Sequence, residues 1–406
     1  MNPIICADRM KNVHSDIRGP IFQEANRMSA SGIPILKLNT GNPATFGFKM
    51  PDSVRQSLVE NAEKAVAYCD LKGMPAAREA IWAYEQSKGI TNFTPDDVYI
   101  GNGVSELAPM CLNTLLNPGD EILIPAPSYS LWTNATYLAG ATPVFYRCHQ
   151  ENNWQPDPEE VRALVTEHTR ALLIINPNNP TGVIYDTAIM QQLVDIAREK
   201  QLLIFSDEIY DRLLLGDGQH VSTASLCPDL PVITLNGLSK SHVVCGFRCG
   251  WMCISGSEKE TKAYKAALTA LASMRLCGNA LTQLVIPAAL EDSDYTQAMM
   301  MPGGRLYEQS KAACDALEKI PGVTFVRNTA AFYVFPKLDV ERFGIIDDRK
   351  FALDLLHEKH ILIVSGSGFD WPEPDHFRLV LLPEANELKK AVEDIGDFLS
   401  TYQQQV

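Results

Sequence analysis

The sequence predicts an α/β protein in which a large, doubly wound and mainly parallel sheet domain carries a smaller α+β domain. From about residue 98 onward, short apolar runs alternate with segments of helical periodicity. Several of these runs are almost uninterrupted, which is typical of parallel strands that are covered on both faces. The chain is also too long for one ordinary core, because its 406 residues exceed the roughly 150 residues of a typical domain.

The predicted strands of the large domain follow one another along the middle of the chain. They are VYIGNG, DEILIPAPSY, TPVFYRC, RALLIINPNNPTG, LLIFSDEIY, VITLNGLSK and CGWMCIS. Between two of them, residues 186–200 place Met190, Leu193 and Val194 at helical spacing, which predicts a crossover helix. We expect the large domain to span residues 45–290.

The C-terminal part of the chain follows a different pattern. Its strand candidates, AAFYVFPKL and HFRLVLL, alternate with helical segments. In the final helix Leu388, Ala391 and Ile395 belong to one apolar stripe. We expect residues 291–406 to form the smaller domain together with residues 1–44, which are too few to fold alone.

Composition and charge limit the class of partner. A net charge of −14 argues against nucleic acid or an anionic membrane, because both favour a basic surface patch. The sequence contains neither a signal peptide nor an apolar run of membrane-spanning length. Ten cysteines without the spacing of a zinc site indicate reduced, buried thiols. We therefore expect a cytoplasmic protein that acts on small molecules and binds no metal.

The residues that end the apolar runs are the candidate site, because ligands of open α/β sheets bind at the carboxyl ends of the strands. After VYI, a glycine turn leads into a helix that begins near Ser105. The exposed N–H groups and positive end of such a helix suit a phosphate, although glycine turns before helices are common. After ALLII, NPNNPTG presents Asn179 at the apex of a turn, which could also be merely rigid.

The next two strands end in ionisable residues. Asp207 and Tyr210 end LLIFSDEIYDRL. A buried carboxylate needs a partner, and either a protonated heterocyclic nitrogen or a helix N-terminus could supply one. Lys240 ends VITLNGLSK, and we expect burial to lower its pKa, so that its amine can form a Schiff base with an aldehyde. Ser239 and Arg248 could bind a phosphate.

One molecule supplies a partner for every one of these groups. Its aldehyde suits Lys240 and its ring nitrogen suits Asp207. Its phenolate oxygen suits Asn179 and Tyr210. Its phosphate suits Ser239, Arg248 and the glycine turn before Ser105. This molecule is pyridoxal 5'-phosphate.

The sequence resembles the class I aminotransferases of pyridoxal phosphate (PLP) fold type I over essentially the whole chain. NPNNPTG, SDEIYD and GLSKSHVVCGFRCG stand in that family's order and at its spacing. Segments such as LNTGNPATFGF, YIGNGVSEL, SMRLC, PGGRLYEQ and DHFR are most similar to the bacterial glutamate-pyruvate (alanine) aminotransferase branch. The resemblance implies that the enzyme is a homodimer with active sites at the subunit interface.

The resemblance implies roles for individual residues. Lys240, Asp207 and Tyr210 are the implied catalytic residues. The implied cofactor-binding residues are Val104, Ser105, Tyr129, Asn179, Asp207, Tyr210, Ser239, Lys240 and Arg248, with Tyr68 reaching the phosphate of the neighbouring subunit. Arg378 clamps the substrate α-carboxylate, and Gly41 and Asn179 line the same pocket. Arg18 and Arg275 are alternative candidates for a second carboxylate, and Ser15 lies beside the expected substrate pocket.

Four positions depart from the family pattern. Gly237 stands where relatives often carry serine, which we expect to weaken the grip on the phosphate. At His14 and Ser15 the branch is expected to carry an aromatic residue near the substrate, and His242 also differs from it. These positions leave the second-substrate pocket open.

The leading hypothesis is transamination by a ping-pong mechanism, most simply between alanine/pyruvate and glutamate/2-oxoglutarate. A PLP-dependent lyase of the carbon–sulfur β-lyase type, or a specialised natural-product enzyme, is the alternative, because the same cofactor site supports several reactions. A transcription regulator on the same fold would need a DNA-binding domain, for which the acidic chain offers no room before residue 40.

Overall fold

The structure is a computed structural model that describes residues 3–292 and 294–405. The strands in chain order are β1 (Leu36–Lys37), β2 (Val98–Gly101), β3 (Glu121–Ala126), β4 (Thr142–Arg147), β5 (Thr169–Ile175), β6 (Leu203–Asp207), β7 (Val232–Gly237), β8 (Gly250–Ser255), β9 (Val323–Thr324), β10 (Tyr333–Val334), β11 (Lys337–Leu338), β12 (Ile361–Leu362), β13 (Val364–Ser365) and β14 (Phe377–Val380). The helices are α1 (Pro20–Ala30), α2 (Asp52–Asn61), α3 (Pro75–Ser87), α4 (Val104–Leu115), α5 (Leu131–Leu138), α6 (Pro158–Leu164), α7 (Thr187–Lys200), α8 (Leu238–Ser241), α9 (Glu258–Met274), α10 (Ala280–Gln283), α11 (Ile286–Glu291), α12 (Asp294–Met300), α13 (Arg305–Leu317), α14 (Val340–Phe343), α15 (Asp348–Lys359) and α16 (Ala385–Thr401).

A seven-stranded sheet in the order β2-β8-β7-β6-β5-β3-β4 forms the centre of the fold. Strand β8 is antiparallel to both of its neighbours, and the remaining neighbouring pairs are parallel. The predicted mainly parallel α/β sheet is therefore confirmed. Its parallel strands place the ends of β5, β6 and β7 at the same edge.

Both faces of the sheet are covered, which explains the uninterrupted apolar runs. Along β5, Leu172 and Ile174 pack into one hydrophobic cluster, and Leu173 and Ile175 pack into another. All four side chains are buried. Because neighbouring residues of a strand point to opposite faces, a strand inside the sheet needs apolar residues at every position. The predicted crossover helix is α7, which lies between β5 and β6 in the chain.

A further hydrophobic cluster joins the C-terminal strands and helices, and Leu388, Ala391 and Ile395 of α16 are buried in it. The N-terminal segment contributes β1 to this region, since Leu36 pairs in parallel with Ile361 of β12. This pairing joins the N-terminal segment to the C-terminal part of the chain. Residues 1, 2, 293 and 406 lie outside the described residues, and the predicted association of residues 1–44 with 291–406 stays a prediction. The division of the chain at 45 and 290 stays a prediction.

None of the helices within residues 3–292 and 294–405 is both long enough and apolar enough to cross a membrane.

Candidate active site

The carboxyl ends of β5, β6 and β7 bring the predicted site residues together. Asp207 is the last residue of β6, and it pairs with Ile175 at the end of β5 and with Leu235 near the end of β7. Lys240 lies on α8, which follows directly after β7. The chain therefore places the buried carboxylate and the lysine at one edge of the sheet, as the apolar runs predicted.

The Lys240 amine points towards the turn that follows β1. Its Nζ donates a 2.9 Å hydrogen bond to the Gly41 carbonyl oxygen and lies 4.0 Å from Cys245 Sγ. Burial by itself lowers the pKa of Lys240. The charges that Tyr333 and Cys245 carry when ionised oppose burial and raise this pKa above its usual value. Our expectation of a lowered lysine pKa is therefore wrong for this arrangement of neighbours.

Asp207 is a buried carboxylate held by neutral donors. Its Oδ2 accepts a 2.9 Å hydrogen bond from Trp132 Nε1, and its Oδ1 accepts from the Ile209 N–H at 3.3 Å. Burial raises the pKa of Asp207 to about 6. Among the described residues, no Lys, Arg or His lies within ion-pair distance of it. A protonated ring nitrogen would supply the missing positive charge.

A cradle for an anion forms where β2 turns into α4. Gly103 adopts a left-handed φ of 83° before α4, whose first N–H groups have no partner within the helix. A Cβ at Gly103 would lie 2.5 Å from Arg248 Nη2, and a Cβ at Gly250 would lie 2.8 Å from the Val104 nitrogen. The guanidinium therefore lies directly against the glycine turn. Helix N–H groups and an arginine fork are a suitable combination for phosphate.

The glycine turn has a brace that the sequence analysis missed. Glu106 Oε2 accepts a 2.7 Å hydrogen bond from the Asn102 N–H and a 2.8 Å hydrogen bond from Arg275 Nη1. Arg275 Nη2 donates to the Ile100 carbonyl oxygen at 2.8 Å. Because its guanidinium is engaged beneath the turn, Arg275 is not free to bind a substrate carboxylate. Nothing in the local sequence distinguishes a brace from a binding residue.

Arg378 on β14 reaches the end of β5 from the C-terminal part of the chain. Its Nη1 donates a 2.9 Å hydrogen bond to Asn179 Oδ1, and its Nη2 donates to the Asn39 carbonyl oxygen. The rings of Tyr333 and Phe369 lie 4.5 and 4.6 Å from its guanidinium carbon. The guanidinium is buried without a carboxylate partner among the described residues, and burial lowers its pKa. A substrate carboxylate is a suitable partner for it.

Tyr333 is a site residue that the sequence analysis did not select. Its hydroxyl lies 2.9 Å from the Tyr210 hydroxyl, and a Cβ at Gly41 would collide with it. The sequence analysis interpreted the segment AAFYVFPKL only as a strand. Alternation of side chains along a strand does not show which of them reaches Lys240, which lies far away in the sequence. Tyr129 belongs to the same group, because its charge when ionised also affects the pKa of Lys240 and of Arg378.

The remaining predicted residues differ in their exposure. Ser239 is buried directly before Lys240, and Ser15 and Arg18 are exposed at the short turn Asp16–Arg18. Tyr68 is 80 % exposed in the single chain.

The structure shows the surroundings of two positions that differ from the family pattern, His242 and Gly237. His242 is buried, with its ring nitrogens 2.8 Å from Ser241 Oγ and 2.6 Å from the Ala289 carbonyl oxygen. Burial lowers its pKa to about 4, so it is a neutral residue of the interior and gives no reason to expect an altered pocket. A Cβ at Gly237 would lie 2.6 Å from the Cys249 carbonyl oxygen. A side chain at this position would therefore press on the backbone of the neighbouring strand.

The donor set fits PLP. Among the described residues the buried Asp207 has no cationic partner, Lys240 lies on the helix that follows the neighbouring strand β7, and Gly103 keeps the Arg248 guanidinium close to a helix N-terminus. These are the three features that the ring nitrogen, the aldehyde and the phosphate require. The fold and the site together define a PLP-dependent enzyme of fold type I.

Comparison with known proteins gives the family. The model for aminotransferase class I and II matches residues 33–395. Glutamate-pyruvate aminotransferase AlaA of Haemophilus influenzae is 48% identical over 98% of both chains. A crystal structure of an aminotransferase from Escherichia coli is 46% identical, covers 100% of both chains and superposes with a TM-score of 0.98. The alanine aminotransferase structure from Pyrococcus furiosus is 36% identical over 98% of this chain and 100% of its own, with a TM-score of 0.93.

The chain belongs to the class I and II aminotransferases and is a PLP-dependent transaminase. The predicted family, fold type, enzyme class and cofactor are therefore confirmed.

Proposed function

We propose that this enzyme transfers an amino group between alanine/pyruvate and glutamate/2-oxoglutarate. The observation that carries the proposal is Arg378, a buried guanidinium next to the lysine that is held by Asn179 and by no carboxylate of the described residues. An arginine in this position suits the α-carboxylate that all amino-acid and 2-oxo-acid substrates share. The names of the relatives from H. influenzae and P. furiosus support the choice of substrates.

Each residue contributes a separate part of the reaction. PLP supplies an electron sink for the charge that develops at the substrate Cα. Asp207 keeps the ring nitrogen protonated, because its buried carboxylate gains a positive partner. With PLP bound, Lys240 would be the general base that accepts the proton from the substrate Cα. Arg378 binds the α-carboxylate and so fixes the direction of the Cα–H bond towards the amine.

Arg18 is our candidate for the distal carboxylate of glutamate. The carbonyl oxygen of its neighbour Ile17 accepts a 2.8 Å hydrogen bond from Asn39 Nδ2, and the Asn39 backbone oxygen accepts a hydrogen bond from Arg378. Asp16 is held by Arg349 at 2.9 Å. These contacts tie the exposed turn that carries Arg18 and Ser15 to the α-carboxylate site. Replacing Arg18 with alanine should raise the KM for glutamate and leave the KM for alanine unchanged.

We also propose a cytoplasmic homodimer. The exposed apolar side chains Val66, Tyr68, Met274 and Leu276 belong to two chain segments that are linked by a hydrogen bond from Arg275 Nη2 to the Leu71 carbonyl oxygen. Tyr68 would reach the phosphate of the partner subunit from this surface. The ten cysteines are all free, which suits a reducing compartment.

The experiment is a pair of half-reactions with the purified holoenzyme. L-glutamate alone should yield 2-oxoglutarate in an amount equal to the enzyme sites, and subsequent pyruvate should yield alanine and restore the initial absorption spectrum. If glutamate and alanine both leave the spectrum unchanged, the proposed substrates are wrong. Continuous release of pyruvate and ammonia from one amino acid, without an acceptor, would instead establish the lyase alternative.

A further inference from the structure

Tyr333 lies where several groups of the candidate active site meet. Its hydroxyl is 2.9 Å from the Tyr210 hydroxyl, and a Cβ at Gly41 would collide with that same Tyr333 oxygen. The Gly41 carbonyl oxygen accepts the 2.9 Å hydrogen bond of the Lys240 amine. The ring of Tyr333 also covers the Arg378 guanidinium, whose carbon lies 4.5 Å from the ring centre. Tyr333 is therefore placed to influence the reaction itself.

The two tyrosine hydroxyls are held together in the interior. Tyr333 is 1% exposed and Tyr210 is 3% exposed. Their rings meet edge to face at 5.6 Å and 82°, and Tyr333 is fixed on β10, where it pairs with Val380 of β14. Burial raises the pKa of the Tyr210 hydroxyl, so this hydroxyl keeps its proton near pH 7. Since a buried hydroxyl needs a partner, the two oxygens share a hydrogen bond.

The number of protons decides the direction of this hydrogen bond. Each hydroxyl carries one proton, and among the described residues the Tyr333 hydroxyl has no hydrogen-bond partner other than Tyr210. If Tyr210 donated to Tyr333, the Tyr333 proton would have no acceptor in that part of the chain. If Tyr333 donates instead, the Tyr210 proton stays available for a ligand. Tyr210 follows Asp207 by three residues, at the edge of the sheet where the predicted cofactor residues lie.

We propose that Tyr210 binds the ring oxygen of PLP, and that Tyr333 is the positioning residue that directs the Tyr210 proton to this oxygen. The ring oxygen is a phenolate, which only accepts and therefore needs a donor. A hydroxyl that accepts one hydrogen bond becomes a stronger donor in the next, because neighbouring hydrogen bonds polarise each other. The proposal rests on the cofactor role of Tyr210 and does not depend on the choice of amino-acid substrates.

The arrangement has a measurable consequence for the linkage between Lys240 and the cofactor aldehyde. The nitrogen of this linkage is positive when protonated, and the negative ring oxygen attracts it. A hydrogen bond from Tyr210 stabilises the ring oxygen, so the linkage loses its proton more easily. Tyr333 should therefore lower the pH at which this proton is lost. The other ionisable groups around the pair are Asp207 on β6, Arg378 on β14, Tyr129 and Cys245, and all of them are kept in the variants that test the proposal.

The test is a pH titration of the visible absorption of the holoenzyme, without any substrate. The midpoint in Tyr333→Phe should rise by up to about one pH unit, since one hydrogen bond to Tyr210 is lost. Tyr210→Phe should raise the midpoint at least as far, because the donor to the cofactor is itself lost. The double variant should have the midpoint of Tyr210→Phe, because Tyr333 acts only through Tyr210.

Tyr146→Phe is the matched control. The Tyr146 hydroxyl is likewise buried, and it donates a 2.7 Å hydrogen bond to the Leu173 carbonyl oxygen. Tyr146 lies on β4, the last strand of the seven-stranded sheet, so we expect this variant to titrate like the wild type. Circular dichroism and the amount of bound cofactor show whether each variant is folded and loaded.

The proposal is wrong if Tyr333→Phe or Tyr210→Phe titrates like the wild type, or if Tyr146→Phe shifts as far as Tyr333→Phe. It is equally wrong if Tyr333→Phe causes the same shift in the Tyr210→Phe background as in the wild type, because Tyr333 would then act directly on Lys240. Loss of cofactor from Tyr333→Phe but not from Tyr210→Phe would also contradict it. The half-reactions with glutamate and alanine do not enter this test, and their failure would concern only the proposed substrates.

Discussion

Arg378 Nη1 donates a 2.9 Å hydrogen bond to Asn179 Oδ1, and 199 residues of sequence separate the two. The bond joins strand β14 of the C-terminal part to the turn that follows β5 of the large sheet. It fixes the guanidinium at the edge of the sheet where Lys240 lies. The proposed substrate site therefore combines residues from two separate parts of the chain.

Replacing Arg378 with lysine should lower kcat/KM for both amino acids by about 100-fold, since the loss of one charge-assisted hydrogen bond costs about 1.5–3 kcal/mol. Most of the effect should be in KM, measured by steady-state kinetics. Arg327→Lys is the matched control, because Arg327 is exposed and pairs with Asp315 and Glu318. Equal losses in both variants would contradict the proposed role.

Replacing Asp207 with asparagine should lower kcat by about 100- to 1000-fold, because the ring nitrogen loses the anion that keeps it protonated. Asparagine retains an acceptor for Trp132 Nε1, so the fold should persist. Stopped-flow absorbance of the half-reaction measures the effect. Asp120→Asn, at the start of β3, serves as the control and should remain active. An Asp207→Asn enzyme with wild-type turnover would remove Asp207 from the mechanism.

Replacing Lys88 with methionine should destabilise the protein by about 3–5 kcal/mol, because a buried ion-pair group loses its cation. Lys88 Nζ lies 3.0 Å from both Glu208 Oε2 and Asp211 Oδ2. Burial raises the pKa of these carboxyl groups, but Lys88, His220 and nearby hydrogen-bond donors together lower both pKa values below their usual range.

The loss of folding stability in the Lys88→Met variant should depend on pH. In the wild type, the lowered pKa values add stability above the ordinary carboxyl range, and that stability is lost as pH falls through them. Without the lysine, fewer groups oppose burial, which favours the protonated form. The stability deficit measured by urea unfolding should therefore be larger at pH 8 than at pH 5. The exposed Lys311→Met variant should show little change, and a pH-independent deficit for Lys88→Met would count against this account.

Co-expression of Tyr68→Ala and Lys240→Ala chains tests the proposed shared site. A hybrid dimer would contain one complete site, formed by Lys240 of one chain and Tyr68 of the other. Random pairing should therefore restore roughly a quarter of the wild-type activity. Each variant expressed alone is the control and should be less active than the mixture. Activity no higher than the mean of the two single variants would exclude a site shared in this way.

Replacing Gly237 with alanine should lower the free energy of unfolding by about 1–3 kcal/mol, since the added Cβ would press on the Cys249 carbonyl oxygen. Gly246→Ala, nine residues further along the same segment, is the control because a Cβ there meets nothing within 4 Å. Thermal unfolding of the two variants measures the difference. Similar midpoints would show that the backbone at Gly237 can move aside without cost.

The sequence predicted the sheet and the cofactor because both depend on local patterns. Buried parallel strands require apolar residues at every position, as Leu172 to Ile175 show. The groups for PLP follow strand ends, and adjacent parallel strands bring their ends together whatever the loops do. Asp207, Asn179 and Lys240 could therefore be selected without coordinates.

Tertiary structure alone decided the function of residues whose role depends on side-chain direction or on distant partners. Arg275 was a candidate substrate residue, but Glu106 engages it beneath the glycine turn. His242 was a candidate pocket residue, but its ring points into the interior towards Ala289. Tyr333 went unselected until packing placed its hydroxyl beside Tyr210. The sequence specifies which chemical groups are present and where the apolar strands lie. The contacts of a single side chain depend on segments distant in the sequence, which come together only when the chain packs.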